Sequence, residues 1–359
     1  MIFPALSNPR RALLPRLLAT GCLGLWLTAG TALVQAGWVP QVSPVIDTNT
    51  SFRAVAAVSS NVVWVGGSGG VCLRTLNGGT TWVRKPVSGA EKLDFRGVAA
   101  FDARTAILMS AGLAEAGATR LFRTTDGGDT WTQVFQTTEP GAFLDGIAFW
   151  DARNGLVMGD PVGGKWFLLR TGDGGQTWER LPPARLPAML PNEAAFAAGN
   201  SALVTQGTAL AWLASGGGPR ARVFRTADRG DTWDVVETPM PAGETAGIFG
   251  LRFRDARHGM GVGGDHKKEQ QASPNVMVTD DGGRSWRAAT PTDPPGLKET
   301  VILTSDGAWL AVGPSGSSRS GDGGLTWKLV DRQPFHAAAW AEGRGWAVGG
   351  KGQIAVWQP

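Results

Sequence analysis

The chain has 359 residues, with 34 Lys and Arg, 30 Asp and Glu, two Cys and no Tyr. Three of the arginines lie in the first 36 residues, which contain no acid, so the remainder carries 31 basic and 30 acidic residues. That balance lacks the strong positive charge that nucleic-acid binding requires, and Cys72 as the one cysteine left excludes an intrachain disulfide there.

Residues 1–36 have the composition of a cleaved export signal. Arg10 and Arg11 precede an apolar run, and Val-Gln-Ala ending at Ala36 matches a small-x-small cleavage site. The arginine pair also suits a twin-arginine signal, although Pro9 stands where Ser or Thr is usual, so general (Sec) and twin-arginine (Tat) export both stay open. Cys22 lacks the leucine expected three positions before a lipidated cysteine. We expect a periplasmic or secreted protein with no lipid anchor and no membrane span after cleavage.

A short sequence motif ending in tryptophan occurs six times after residue 36. Its pattern is Ser/Thr-x-Asp/Asn-x-Gly-x-Ser/Thr-Trp, and successive tryptophans are 49, 47, 55, 53 and 41 residues apart. The Asp or Asn positions are Asn77, Asp126, Asp173, Asp228, Asp281 and Asp322, and the tryptophans are Trp82, Trp131, Trp178, Trp233, Trp286 and Trp327. A period of this size is typical of repeat folds in which each unit is one supersecondary module.

Each copy has the chemistry of a hairpin turn. The Asp or Asn oxygen can accept nearby backbone N–H groups, the glycine supplies a positive φ, and the tryptophan buries a large ring against its neighbour. The motif resembles the Asp-box, or BNR repeat, of sialidases and related β-propellers. We therefore predict that the Asp-box residues are structural and not catalytic.

The two ends of the mature chain supply a seventh repeat between them. Residues 37–39, around Trp38, match the end of an Asp-box, and residues 353–357 match the strand that precedes one. A blade shared by both termini closes a propeller ring and leaves no open sheet edge. The prediction is an all-β fold, a single seven-bladed β-propeller of four-stranded antiparallel blades over residues 37–359, at about 46 residues per blade.

Counting strands A to D outward from the axis sorts the candidate residues by face. The Asp-box is the C–D turn and shares its face with the A–B turn, whereas the D–A and B–C loops lie on the opposite face. At the entry to strand A we predict Arg53, Arg96, Asp145, Glu193, Phe249, Glu299 and His336. From the B–C loops we predict Asp160, Gln206, Asp265, His266 and Lys267. So many ionisable groups around one channel mouth either pair with one another or bind a polar ligand or partner.

The composition bears on several catalytic hypotheses. Sialidases resemble one another in using a tyrosine as the nucleophile, and this chain contains no tyrosine, so ordinary sialidase activity is not expected. A glycosidase with a carboxylate pair drawn from Asp145, Asp160, Glu193 or Asp265 stays open. The three histidines have no ligand spacing, so no metal is expected. Ser68 lies in Gly-Gly-Ser-Gly-Gly between two strands, without the following helix of a nucleophile elbow.

In repeat number, length and closure the chain resembles the photosystem II assembly and stability factor family and its bacterial relatives among BNR propellers. That resemblance implies a non-enzymatic assembly role outside the cytoplasm, with no cofactor. Only Arg53 and Arg96 match inner positions of that family's arginine-rich partner patch. We expect an exported, monomeric binding or assembly factor for a protein or polysaccharide at the channel mouth, and a polysaccharide-active enzyme is the alternative.

Overall fold

The computed structural model describes residues 36–44 and 49–359. These residues form seven four-stranded antiparallel sheets, which are the seven blades of the predicted all-β propeller. The predicted export signal lies outside the described residues except for Ala36. In the described part, no helix has the length and apolar character needed to cross a bilayer.

The strands follow one another along the chain with short connections. The first fourteen are β1 (Gly37–Pro40), β2 (Phe52–Ala57), β3 (Val63–Gly67), β4 (Val71–Thr75), β5 (Val83–Arg84), β6 (Phe95–Ala100), β7 (Ala106–Ser110), β8 (Arg120–Thr124), β9 (Thr132–Gln136), β10 (Leu144–Phe149), β11 (Gly155–Val162), β12 (Lys165–Thr171), β13 (Glu179–Arg180) and β14 (Leu203–Gln206). The others are β15 (Leu210–Ala214), β16 (Arg222–Thr226), β17 (Asp234–Glu237), β18 (Ala246–Phe253), β19 (Gly259–Asp265), β20 (Val276–Thr279), β21 (Arg287–Ala288), β22 (Thr300–Leu303), β23 (Trp309–Val312), β24 (Ser317–Ser320), β25 (Lys328–Asp331), β26 (Ala337–Ala341), β27 (Arg344–Val348) and β28 (Ile354–Gln358). Two single 3-10 turns cover Ala114–Ala116 and Pro183–Arg185.

Blades 1 to 6 each use four consecutive strands, beginning with β2–β5, and blade 7 consists of β26, β27, β28 and β1. The first strand of the chain is thus the outermost strand of the last blade. Trp38 lies opposite Trp357 in that pairing, and its indole N–H donates to Ser317 Oγ at 3.1 Å in blade 6. The predicted closure of the ring by both termini is confirmed.

The Asp-boxes are hydrogen-bonded turns on one face of the ring. In blade 6 the Ser320 hydroxyl donates to Asp322 Oδ1 at 2.8 Å, and the Gly324 N–H donates back to Ser320 Oγ at 2.9 Å. The Thr326 hydroxyl and N–H also donate to the Asp322 carboxylate, which lowers the pKa of Asp322 to about 2. In blade 1 Asn77 replaces the carboxylate, and its amide donates to Thr81 Oγ1 at 2.9 Å. These contacts account for the Asp-box residues as structural elements.

Large rings packed between blades form the core. Trp212 of β15 stacks on Phe253 of β18 with ring centroids 3.5 Å apart, and its N–H donates to the Gly282 carbonyl in the next blade's Asp-box. Trp346 of β27 donates likewise to the Gly78 carbonyl in the Asp-box of blade 1, and Trp64 of β3 donates to the Asp102 carbonyl in the A–B turn of blade 2. Burial of each of these indoles stabilises the propeller by about 2 kcal/mol or more, and the neighbouring blade accepts each of these three N–H groups.

We call the face with the A–B and C–D turns the Asp-box face, and the face with the B–C and D–A connections the loop face. The inner strands run from the loop face to the Asp-box face and surround the central channel. Their residues are mostly small, as at Ala56, Ala99, Ala148 and Ala339. Because these side chains are small, they do not fill the space along the axis.

Candidate functional site

The inner strands of four blades begin with a β-bulge at the loop face. The strand pairing shifts between Phe52 and Ala54, Phe95 and Gly97, Leu144 and Gly146, and Ile248 and Gly250. The extra residue in each case is Arg53, Arg96, Asp145 or Phe249, all of which were predicted at this position. A bulge redirects one side chain out of the regular alternation, so these residues form part of a ring around the axis.

Blades 6 and 7 complete that ring with Glu299 and His336, as expected. The Glu299 N–H donates to the Val312 carbonyl and the His336 N–H to the Val348 carbonyl, directly before the first paired residues of β22 and β26. Six of the seven predicted positions are therefore equivalent in the structure.

Glu193 in blade 4 is the exception, and its predicted position is corrected. The inner strand β14 begins at Leu203, and Ser201 occupies the ring position two residues earlier. Glu193 lies further back in the long connection from blade 3, where residue 194 forms an isolated bridge with Gly216. The 55-residue spacing between the flanking Asp-box tryptophans, the longest in the chain, is the signal of this inserted length.

Gln206 is also corrected, because it lies on the other face. It is the last residue of β14 and pairs with Leu210 across the A–B turn, so it belongs to the Asp-box face. The sequence pattern assigns this segment to the B–C loop, whereas in the structure it is the inner strand of blade 4. Asp160, Asp265, His266 and Lys267 lie on the loop face, as predicted.

A segment of blade 4, residues 197–201, covers the channel at the loop face, and we call it the plug. The Ala197 carbonyl accepts a hydrogen bond from Arg96 Nη1 at 3.3 Å, and Ser201 Oγ donates to the Glu299 carbonyl at 3.1 Å. Asn200, at φ 54°, accepts the Ile147 N–H at 2.9 Å. The plug thus contacts blades 2, 3 and 6, and the predicted polar mouth surrounds the chain's own backbone.

Gly199 allows this close approach. A Cβ at residue 199 would stand 2.5 Å from the His336 carbonyl oxygen and closer still to Thr300 Oγ1. The Thr300 hydroxyl itself donates to the His336 carbonyl at 3.1 Å. The plug therefore fits against blades 6 and 7 only because residue 199 has no side chain.

Glu299 joins two cations or potential cations of the ring. Its Oε2 lies 2.8 Å from His336 Nδ1, and its Oε1 lies 4.0 Å from Arg53 Nη1. The Glu299 side chain is buried, whereas the side chains of Arg53 and His336 are 25% and 16% exposed. The Glu299 carboxylate is thus shielded from solvent, and the more exposed Arg53 and His336 lie beside it.

A second cluster contains two carboxyl groups beside Arg96. Asp145 is buried and has one side-chain oxygen without a hydrogen-bond partner among the described residues. Burial, and then the nearby charge of Asp160, raise the pKa of Asp145 well above its usual range, and Arg96 opposes that shift. Arg96 itself pairs with Asp94 at 2.7 Å, and Asp160 accepts the Ala195 N–H at 2.9 Å. The environment therefore favours a protonated Asp145.

Glu193 belongs to a buried network of its own. It forms a two-pronged ion pair with Arg222, in which Arg222 Nε lies 2.9 Å from Glu193 Oε1. The Ser215 hydroxyl donates to Oε1 at 2.6 Å, and the Leu190 N–H donates to Oε2 at 2.9 Å. Every lone-pair direction of this carboxylate is engaged within blade 4 and its connection, so Glu193 stabilises the insertion.

The B–C loop of blade 5 combines aromatic and charged residues. Phe196 stacks on Phe249 with centroids 4.3 Å apart, and His266 packs edge-on against both rings. Asp265 accepts the Thr245 hydroxyl at 2.7 Å, and this hydrogen bond lowers the pKa of Asp265. Lys267 is exposed beside them. This loop is the most accessible group of predicted residues.

The nucleophile candidates are engaged or buried. Ser68 Oγ accepts the Ser51 N–H at 2.9 Å. Burial lowers the pKa of Lys298 to about 7, and its amine donates to Ser315 Oγ, but Ser315 is itself buried and donates to the Leu297 carbonyl. Burial raises the pKa of the Cys72 thiol far above its usual range. Within the described residues, no three His, Cys, Asp or Glu side chains form a metal-binding group.

One charged residue that sequence reasoning missed lies inside the channel. Arg252 is on β18, three residues past the ring position, and lines two adjoining cavities of about 630 and 280 Å³ on the Asp-box side of the plug. Aligning the inner strands would have revealed it, because the other six blades have Ala, Val or Ile at this position.

Comparison with known proteins places this geometry among propellers. No family model and no curated protein matches the sequence. The fold is similar to that of YCF48. A structure of YCF48 bound to D1 peptide has a TM-score of 0.61 and 16% identity, over 91% of this chain and 99% of that chain. YCF48 from Cyanidioschyzon merolae has a TM-score of 0.64 and 16% identity, over 90% of this chain and 99% of that chain.

An enzyme shares the same architecture. A catalytically inactive virginiamycin B lyase from Staphylococcus aureus with quinupristin has a TM-score of 0.62 and 10% identity, over 90% of this chain and all of that chain. At these identities the likeness shows a common fold, and a fold of this kind carries both binding proteins and enzymes.

Proposed function

We propose that this chain is an exported, non-enzymatic β-propeller that binds an acidic segment of a protein partner at its loop face. The observation that carries the proposal is the division of charge around the plug. Asp145 and Glu299 are buried, whereas the side chains of Arg53 and Arg96 are 25% and 30% exposed. A partner approaching this ring meets the guanidinium groups of Arg53 and Arg96, beside the Asp94 carboxylate that pairs with Arg96. Guanidinium groups recognise carboxylates by paired hydrogen bonds.

Two further features support a protein partner. YCF48, which has been seen bound to a D1 peptide, matches this chain over nearly its whole length. On the same face, the exposed His266 packs edge-on against Phe196, which stacks on the buried Phe249, and this adds partly exposed aromatic surface of the kind enriched at protein interfaces. We propose an assembly or scaffolding role for this surface.

The binding test compares two double variants. Tagged wild-type protein, Arg53→Ala/Arg96→Ala and the control Arg84→Ala/Arg287→Ala would be incubated with the periplasmic or secreted fraction of the source cells. Quantitative mass spectrometry would then measure the proteins retained. Arg84 and Arg287 are exposed on outer strands and keep the total charge change equal. We expect a partner that the control retains and the ring variant loses, and identical retention would contradict the proposed surface.

The same preparation tests the enzymatic alternative. A glycosidase needs two carboxyl groups facing a substrate, and on the loop face Asp145, Glu193 and Glu299 are buried with partners or neighbours from this chain. Incubation with a panel of polysaccharides and aryl glycosides should therefore release no sugar. Hydrolysis that survives purification and is lost on Asp145→Asn would favour the enzyme.

Export forms part of the proposal and has its own test. Sequencing the N-terminus of protein recovered from the periplasm should give Gly37 as the first residue. Arg10→Lys/Arg11→Lys should block export if the twin-arginine route is used and leave it intact if the general route is used. Uncleaved protein retained in the cytoplasm of both strains would contradict export.

A further inference from the structure

The channel is closed at one end and open at the other. The plug covers the loop-face end, with Asn200 at the floor of both cavities. At the other end the larger cavity reaches residues of the A–B turns, including Phe101, Trp150 and Asp151. The channel is thus a blind well that opens on the Asp-box face, with a size in the range of small-molecule pockets.

At the level of Arg252, the wall of this well is otherwise apolar. The six residues equivalent to Arg252 in the other blades are Ala56, Ala99, Ala148, Val204, Ile302 and Ala339. Phe149 lines the well with the A–B turn aromatics, and Trp340 lines its smaller part. In the larger cavity, Asn200 at the plug, and Thr205 and Asp151 toward the opening, are the polar residues above and below this apolar band. Ligand pockets commonly combine apolar walls with a few polar groups that orient the ligand.

Arg252 is free to make that polar contact. Its guanidinium has no hydrogen bond and no ion pair with any residue that the structure describes. The surrounding protein atoms partly desolvate the guanidinium and lower the pKa of Arg252, with no carboxylate offsetting the effect. Its side chain still meets the solvent of the channel, and an arginine remains cationic at neutral pH.

The Arg252 guanidinium faces the hydrated channel without a counter-charge from the described chain, so its donors are free for an anion that enters the well. The donors of one guanidinium match one carboxylate, and the aromatic rings near the opening match an apolar body. We propose that the well binds a small organic carboxylate with an apolar or aromatic body, its carboxylate on Arg252. This site is independent of the partner surface proposed for the loop face.

The test uses four acids and their neutral amides: benzoate, 3-phenylpropionate, indole-3-acetate and 4-methylpentanoate. Titration calorimetry and saturation-transfer NMR would measure their dissociation constants for the full mature chain. We expect at least one acid to bind at least about tenfold more tightly than its amide, because the guanidinium pairs only with the charged form. Equal affinity of each acid and its amide, or no binding of any acid, would overturn the proposal.

Three variants then assign the preference to one residue. Arg252→Gln should remove the difference between acid and amide, and Arg252→Lys should retain part of it. Arg254→Gln is the matched control, because Arg254 lies two residues further along, outside both cavities, with its guanidinium on the Gly307 carbonyl. Melting temperatures would confirm that all three fold. Undiminished preference in Arg252→Gln would overturn the proposal, as would equal loss in Arg254→Gln.

Arg53→Ala/Arg96→Ala separates this site from the loop face. Because the plug lies between them, this variant should bind the acids as the wild type does. Loss of acid binding in this variant together with retention in Arg252→Gln would assign the acids to the loop face and contradict the proposed well.

Discussion

The two ends of the propeller channel differ in how many charged side chains they have and in how those side chains are paired. At the loop face, carboxylates and basic groups are numerous and pair with one another, as Glu299 does with His336 and Glu193 with Arg222. At the Asp-box end, one arginine lines an open well and has no partner among the described residues. The density of charged residues in the sequence therefore overstates the number of free groups, because most of them pair, and at the loop face Arg53 and Arg96 remain only partly exposed. At the Asp-box end, the free group is an arginine that no carboxylate of the described residues pairs with.

The largest expected effect breaks a buried pair on the loop face. Glu193→Gln leaves Arg222, whose side chain is 9% exposed, without its counter-charge, and should lower the free energy of unfolding by about 3 kcal/mol or more. Glu237→Gln is the control in the same blade, since the Arg220–Glu237 pair is 63% exposed on both sides, and should cost about 0.5 kcal/mol or less. Urea denaturation would measure both. Similar losses would show that Glu193 does not act as a buried anchor.

The next effect tests the plug. Gly199→Ala places a methyl group against the His336 carbonyl and Thr300, and the crowding should cost about 2 kcal/mol. Gly172→Ala is the control, because a Cβ at residue 172 meets open space. Denaturation midpoints give the difference directly. If both variants unfold alike, residues 197–201 do not seal the channel as described.

These two variants also mark where sequence reasoning succeeded and where it stopped. The Asp-box identifies the C–D turn in blades 1 to 6, and its partial copy at Trp38 identifies the outer strand of blade 7, so the blade number, the closure and the two faces follow from the motif and its spacing. In blade 4 no such motif marks the inner strand. The long connection before that strand is why the predicted positions of Glu193 and Gln206 are wrong. No local pattern predicts that this connection turns inward to form a plug, because its hydrogen-bond partners in other blades are 53, 98 and 101 positions away.

The pH dependence of stability should differ between the two faces. The pKa of Asp322 is lowered to about 2, first by the Thr326 hydroxyl, so its contribution is complete above about pH 4 and is lost as the pH falls toward 2. The pKa of Asp145 is raised by burial, so its contribution is present below about pH 4 and is lost as the pH rises through its folded-state pKa.

Two substitutions measure these pH-dependent contributions to stability separately. Asp145→Asn should unfold at higher urea than the wild type at pH 8, with the gap closing toward pH 4. Asp322→Asn should unfold at slightly lower urea at pH 7, with the gap closing toward pH 2. Its cost should be modest, because Asn77 already fills this position in the first Asp-box. A stabilising effect of Asp145→Asn that is constant from pH 4 to 8 would contradict the raised pKa.

The smallest expected effect concerns Arg252. Because the guanidinium has no partner in the described chain and equivalent positions hold Ala, Val or Ile, Arg252→Val should leave the free energy of unfolding within about 0.5 kcal/mol of wild type, or raise it. Calorimetric melting in the absence of any organic acid measures this. A loss above about 1 kcal/mol would make Arg252 a structural residue, and the Asp-box end of the channel would then offer no free charge.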